Sequence, residues 1–223
     1  MFISIDGCDG CGKSTQVERL AQWLRQQGRE VLTCRDPGTT PLGEALREVV
    51  LHRHDLRIDP RAEMLLYMAA RAQLVDEVIR PALASGKIVL ADRYLLANVV
   101  YQGYGGGLEV AELWEVGRVA VAGLLPDLTI VLDVPLEIAA ERRGRTSATA
   151  EALGTAAPAS GLTGRAPVDR LEQRGESFHQ RVRQGYLTEA GRNPDKIVVI
   201  DASGPIESVH RAICSVVERR LLS

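Results

Sequence analysis

The run Gly7-Cys8-Asp9-Gly10-Cys11-Gly12-Lys13-Ser14-Thr15 carries the most explicit chemistry in this chain. It fits G-x-x-x-x-G-K-[ST] at every fixed position and directly follows a short apolar run. Glycines let such a backbone curl into a nest whose N–H groups point at phosphate oxygens. In that motif Lys13 reaches the β- and γ-phosphates and the Ser14 hydroxyl ligates Mg²⁺. A helix starting near Ser14 would add its positive end to the same anion site. The loop therefore binds the phosphates of a nucleoside triphosphate, with ATP and Mg²⁺ the expected cofactors. It leaves open where the γ-phosphate goes. Cys8 and Cys11 form a C-x-x-C, but there is no second such pair to complete a zinc site. Four cysteines in 223 residues do not make a disulfide framework either. Both sit at free positions of the loop and read as bystanders lending it their backbone.

Candidate residues for the phosphoryl acceptor lie further along. Ala91-Asp92-Arg93-Tyr94 closes an apolar run. Asp92 at a strand end can hold Mg²⁺, directly or through water, and Arg93 can bridge donor and acceptor phosphates; the plainer alternative is an ion pair capping the strand. Tyr67 and Arg71 stand four apart on an expected helix and so share a face, one offering a plane for a base and the other a fork for a phosphate. A tyrosine at that spacing is also consistent with simple packing. Arg35-Asp36-Pro37-Gly38-Thr39 and Tyr101-Gln102-Gly103-Tyr104-Gly105 read as loops after the second and third strands.

The elements that must position these residues alternate in type. Phe2 to Ile5, Glu30 to Cys34, Lys87 to Ala91, Leu128 to Leu132 and Ile197 to Ile200 are short runs rich in Ile, Val and Leu. Between them lie amphipathic stretches such as Val17 to Gln27, Ala62 to Ala84 and Ile206 to Leu222. This predicts an α/β fold: one domain over residues 1–223, with a five-stranded parallel sheet flanked by helices in three layers and ligands beyond the carboxyl ends of the strands. From Arg145 to Val168, 18 of 24 residues are Ala, Gly, Ser, Thr or Pro. That segment reads as a long mobile loop, an insertion in a lid over about residues 142–172. The charge balance, 27 basic against 29 acidic residues, offers no field for a nucleic-acid backbone. Apolar runs such as Val119 to Leu125 are too short to span a bilayer, and no leader pattern opens the chain. A cytoplasmic protein acting on a small anion, with no nucleic-acid or membrane partner, is expected.

Taken in order, these stretches resemble the thymidylate kinase family of P-loop nucleoside monophosphate kinases. The resemblance also includes Ala69-Ala70-Arg71-Ala72-Gln73, Pro126-Asp127-Leu128-Thr129, Leu132-Asp133-Val134 and Asp169-Arg170-Leu171-Glu172, and it covers nearly the whole chain. It implies transfer of the γ-phosphate of ATP to dTMP, giving dTDP, by direct in-line displacement. It also implies roles. Asp9 orients Mg²⁺-bound water or the acceptor phosphate, Asp36 accepts from the 3′-hydroxyl, and Tyr67 stacks on thymine where the family has phenylalanine. Arg71 binds near base and phosphate, Arg93 clamps the transferred group, Asn98 sits beside the base edge, Tyr101 crowds the 2′ position, and Gln102 is a further substrate-binding residue. Gly10 replaces an arginine of one branch, so the catalytic cation should come from the lid: Arg142, Arg143, Arg145 and Arg170 are the candidates, Arg143 and Arg145 foremost. Asp36 stands for the usual glutamate and Ala97 for a common serine. A homodimer built on helices near Trp114 to Leu124 is implied too, with burial of that stretch against the chain's own sheet as the alternative. A kinase for another nucleotide or a nucleoside is the nearest competing activity. A P-loop regulatory switch is the other, although the guanine-reading Asn-Lys-x-Asp is missing.

Overall fold

Side chains alternate across a strand, so a strand covered on both faces must be apolar at every position. Strand β1 (Phe2–Gly7) is buried at all six residues and meets this demand at Phe2, Ile3 and Ile5; the polar Ser4 and Asp6 are tolerated because the Ser4 hydroxyl donates to the Asp6 carboxylate. Ile3 and Ile5 face one side, packing with Leu20, Leu24 and Ile213, while Phe2 faces the other, packing with Tyr94, Leu95 and Val89. The computed structural model describes residues 1–152, 170, 171 and 174–222, with the backbone alone for residues 145–152.

Strands β2 (Val31–Arg35), β3 (Ile88–Asp92), β4 (Leu128–Asp133) and β5 (Ile197–Asp201) complete a parallel sheet in the order β2-β3-β1-β4-β5. The five-stranded parallel sheet expected from the sequence is therefore present. Helices α1 (Lys13–Gln26) and α9 (Ile206–Leu222) contribute to the core on one face. The opposite face carries α3 (Pro60–Leu74) and α6 (Val110–Ala120), and α8 (Glu176–Arg192) packs beside them. The remaining helices are α2 (Pro41–His52), α4 (Arg80–Ala84), α5 (Leu95–Asn98) and α7 (Leu136–Ala152). Central strand β1 has β3 on one side and β4 on the other, pairing Ile5 with Asp92 and Gly7 with Leu132. The loop after β1 thus emerges at the point where the strand order turns back.

Three expectations need correction. The single helix expected over Ala62 to Ala84 is interrupted by a π-helical stretch, Val75–Ile79, before α4. Pro81 follows at once; proline cannot donate the helical bond at its own position, and the widened turn accommodates that. The stretch from Tyr101 to Gly105 is helical rather than a loop: α5 runs into a π-helical segment, Val99–Gly105. Its glycines serve packing, since a methyl at Gly105 would lie 2.6 Å from the Phe178 ring of α8. Lastly, α7 continues through Ala152, where a loop was expected from Arg145. Ala148, Ala150 and Ala152 have high helix propensity and extend a helix whose first turns are already docked. The rest of the expected lid insertion, residues 153–169, lies outside the described residues.

Candidate active site

The loop from Gly7 to Gly12 holds its shape through glycine geometry. Gly7 has φ 139°, and a methyl there would stand 2.5 Å from the Leu132 carbonyl oxygen of β4. Gly10 has φ 85° and lies beneath α7, where a methyl would collide with the Ala139 carbonyl oxygen. Lys13 is buried, its Nζ donating to the Cys8 carbonyl at 2.9 Å and standing 3.8 Å from Asp9. Cys8 and Cys11 are buried in the adjoining core, and burial pushes the Cys8 thiol up to about 12. Their side chains serve packing there.

Arg93 closes this cradle from the end of β3. Its φ of 69° is the left-handed region that a bulky L-residue rarely adopts, a form of strain that concentrates at functional sites. Nη1 donates to the Gly7 carbonyl at 2.9 Å and to the Tyr186 hydroxyl at 3.2 Å. Nη2 donates to the Asp9 carboxylate and, at 3.1 Å, to the Tyr101 hydroxyl. Tyr101 in turn donates to the other Asp9 oxygen at 2.9 Å. An arginine has five N–H donors; four are committed here, which leaves Nε–H. Burial alone would raise the Asp9 carboxyl, but Arg93 and Lys13 outweigh it and hold the group well below the usual carboxylate range.

Thirty-five residues apart in sequence, Arg71 and Asp36 form a buried pair, Nε to Oδ2 at 2.6 Å. Burial pushes the Asp36 carboxyl up against the opposing pull of Arg71. The other oxygen of Asp36, Oδ1, is buried with no hydrogen-bond partner among the described residues. Arg71 Nη1 donates to Asn98 Oδ1 at 3.0 Å and to the Met68 sulfur at 3.2 Å, and Nη2 to the Tyr94 carbonyl at 3.4 Å. The fork expected to meet a phosphate is thus mostly spent on Asp36 and Asn98, with one Nη2 hydrogen remaining.

A single cavity of about 410 Å³ joins these two groups. Gly10, Gly12, Lys13, Ser14 and Thr15 line one part, and Asp36, Tyr67, Arg71, Asn98, Tyr101 and Gln102 another, with Asp9, Asp92 and Arg93 also on its wall. Ser14 Oγ donates to Asp92 Oδ2 at 2.8 Å, so a hydroxyl and a carboxylate converge there. Hard oxygen donors of this kind suit Mg²⁺.

The candidate lid cations separate. Arg143 Nη1 donates to the Asp9 carbonyl at 3.0 Å and so lies against the phosphate loop. Arg142 instead ties α7 to the segment after β5, donating to the Ala202 and Ser203 carbonyls at 2.9 and 3.0 Å. The side chain of Arg145 lies outside the described residues, as do Asp169 and Glu172. Arg170 is placed by its backbone N–H, which donates to Leu51 at 3.2 Å. Sequence reasoning missed Arg47, Leu51 and Leu171 on the cavity wall, and it missed Tyr186 and Glu63 behind it. Two signals were available. Phe178, Val182, Tyr186 and Ala190 recur every four residues as one buried stripe of α8, and Glu63 stands four before Tyr67 on α3.

A family model described as thymidylate kinase matches residues 5–213. The curated thymidylate kinase of Solidesulfovibrio magneticus is 44% identical over 221 residues, covering 99% of this chain and 100% of that relative. That of Rhodopirellula baltica is 43% identical over 215 residues, covering 96% of this chain and 79% of the relative. This chain belongs to the thymidylate kinase family. A crystal structure of thymidylate kinase from Ehrlichia chaffeensis shares the fold, with a TM-score of 0.72 at 26% identity over 97% of this chain and 98% of that one. Two departures from the thymidylate kinase pattern have a structural setting here. At Gly10, the space an arginine would need is filled by the backbone of α7 and by Arg143. At Asp36, the shorter acid still reaches Arg71 through one oxygen, and the other has no hydrogen-bond partner among the described residues.

Proposed function

We propose that this thymidylate kinase family member phosphorylates dTMP to dTDP by direct in-line transfer from ATP, and that the two ends of the one cavity hold the two nucleotides. The carrying observation is that cavity's continuity, from the anion cradle at Lys13 and Ser14 to the aromatic and amide groups at Tyr67, Asn98 and Gln102. Nothing needs to remove a proton from the acceptor, because a phosphate oxygen of dTMP is already anionic at neutral pH. Catalysis is then alignment and charge neutralisation. Lys13 and the loop amides hold the donor phosphates. The acceptor phosphate takes the Nε–H of Arg93 and competes with Asp9 for Nη2. Arg143 offers a second cation from α7, with Arg145 the next candidate along that helix. Ser14 and Asp92 would hold Mg²⁺, which neutralises charge on the donor phosphates when bound. The partnerless Asp36 Oδ1 suits the 3′-hydroxyl of deoxyribose, Tyr67 the face of thymine, and Tyr101 the exclusion of a 2′-hydroxyl.

Among the described residues no helix is long and apolar enough to cross a membrane. The reading keeps a cytoplasmic enzyme and a homodimer. Leu113 and Gly117 of α6 turn inward, while Val119 is 81% exposed and Leu65 of α3 is 52% exposed, apolar surface that a second copy could cover. A coupled ADP-release assay with dTMP, dUMP, dCMP, dGMP, AMP and thymidine as acceptors tests the function. dTMP should lead by more than about tenfold in kcat/KM, the size of discrimination that a few pocket contacts provide. A smaller preference, or a preference for thymidine, overturns the assignment.

A further inference from the structure

From the cavity wall at Arg71, Asn98 and Gln102 to Glu63 and Arg174 behind it runs a chain of buried hydrogen bonds whose direction is fixed at both ends. Arg71 Nη1 donates to Asn98 Oδ1 at 3.0 Å, Asn98 Nδ2 to Gln102 Oε1 at 2.7 Å, and Gln102 Nε2 to Glu63 Oε1 at 3.0 Å. Arg174 Nη2 caps the far end, donating to both Glu63 oxygens at 3.2 and 3.3 Å. Asp36, Arg71, Asn98, Gln102 and Glu63 are each no more than 2% exposed, so water does not readily substitute for a missing partner.

A side-chain amide can turn over and exchange its donor for its acceptor. Here neither amide can do so without penalty. Arg71 only donates, so Asn98 must show it oxygen; a carboxylate only accepts, so Gln102 must show Glu63 nitrogen. Reversing both amides would set donor against donor at Arg71 and acceptor against acceptor at Glu63. Reversing one would create the same conflict between the two amides.

We infer that Glu63 is a positioning residue for base selection: it touches no substrate, and by anchoring Gln102 it fixes which edge Asn98 and Gln102 turn toward the acceptor base. The inference rests on the reading that these two amides face the base. Thymine offers an N3–H donor beside its O4 acceptor, whereas cytosine offers an N3 acceptor beside an amino donor. An amide free to rotate serves both patterns, and one held in a single orientation serves one. Arg71 anchors the chain at one end only, and its Nη1 is shared with the Met68 sulfur. Glu63 supplies the second anchor.

The test is steady-state kinetics with dTMP and with dCMP for the parent, Glu63→Met, Glu63→Gln and Asn98→Ala. Glu63→Met removes the acceptor and leaves Gln102 Nε2 unpartnered. It should lower the dTMP-to-dCMP ratio of kcat/KM by about tenfold, the effect of one unmade buried hydrogen bond. KM for dTMP should rise while KM for ATP stays at the parent value. Glu63→Gln can still accept from Gln102 and should keep the ratio within about threefold, because the acceptor and not the charge is required. Glu63→Leu removes the same acceptor with a different apolar shape while leaving both base-facing amides in place, and it decides the matter if Glu63→Met does not fold. An unchanged ratio in the folded variant overturns the inference, as does a Glu63→Gln that loses selectivity like Glu63→Met. If Asn98→Ala leaves the ratio untouched, the base-facing reading itself fails, and the inference with it.

Discussion

Replacing Arg93 by glycine and, separately, by alanine isolates a cost stored in the backbone. Both variants remove the same guanidinium and leave Asp9, Tyr101, Tyr186 and the Gly7 carbonyl without it, so those losses cancel between them. What differs is the tolerance of φ 69°. A Cβ in the left-handed region costs about 1–2 kcal/mol, and glycine's greater freedom in the unfolded chain returns about 0.5–1 kcal/mol of that. Arg93→Gly should therefore be the more stable by about 1 kcal/mol, which for a chain of this size is about 2–4 °C in Tm. Both should lose turnover by about 10³ to 10⁵, the range for an arginine acting in a phosphoryl-transfer transition state. That corresponds to about 4–7 kcal/mol at 1.36 kcal/mol per decade. Nucleotide titration should show ATP affinity falling far less. Thermal unfolding of the pair, together with a coupled ADP assay, reads both quantities. Equal stability of the two variants would mean the backbone at 93 carries no strain. Turnover within tenfold of the parent would remove Arg93 from the reacting centre.

Gly10→Ala should lose about 1–3 kcal/mol of stability and about tenfold in kcat, since a methyl at φ 85° must push α7 and Arg143 off the phosphate loop; parent-like unfolding and turnover would contradict this. Asp9 has its carboxyl depressed in the folded state, so its contribution to stability is present above the unfolded value near about 4 and fades as the pH falls below it. The stability gap between the parent and Asp9→Asn should accordingly narrow from pH 7 to pH 3, by at most about 1.4 kcal/mol per pH unit below 4, and a gap that widens would reverse the assignment. All four cysteines are free and buried, and burial raises their thiols, Cys8 and Cys34 to about 12 and Cys214 to about 11. A disulfide exchange reagent at pH 8 should label none of them within minutes in the native protein and all four in denaturant; rapid native labelling with loss of activity would make the C-x-x-C functional.

The sheet was legible because its strands are short runs dominated by Ile, Val and Leu that alternate with helical periods, and the phosphate loop because its glycines and lysine stand at fixed spacing. Tyr67 and Arg71 were legible as a pair through helical period alone. What the sequence did not disclose depends on packing. Gly103 and Gly105 carry the composition of a turn, yet here they admit neighbouring side chains to a helix. Arg142 and Arg143 are consecutive, about 100° apart around α7, so only one can face the phosphate loop; composition does not say which. Arg71 was read as a free fork because its competitors, Asp36 and Asn98, lie 35 and 27 residues away and meet it only once the chain folds. The left-handed backbone of Arg93 leaves no mark in residue type, since the usual sign of that conformation is a glycine.

In the proposed function two nucleotides lie end to end in the cavity and the phosphoryl group passes between them in one displacement. ATP made chiral at its γ-phosphorus with oxygen isotopes, turned over with dTMP and this protein, reports that directly. The dTDP formed should be inverted at its β-phosphorus. Net retention would require an even number of displacements through a phosphorylated residue, and direct transfer would be ruled out.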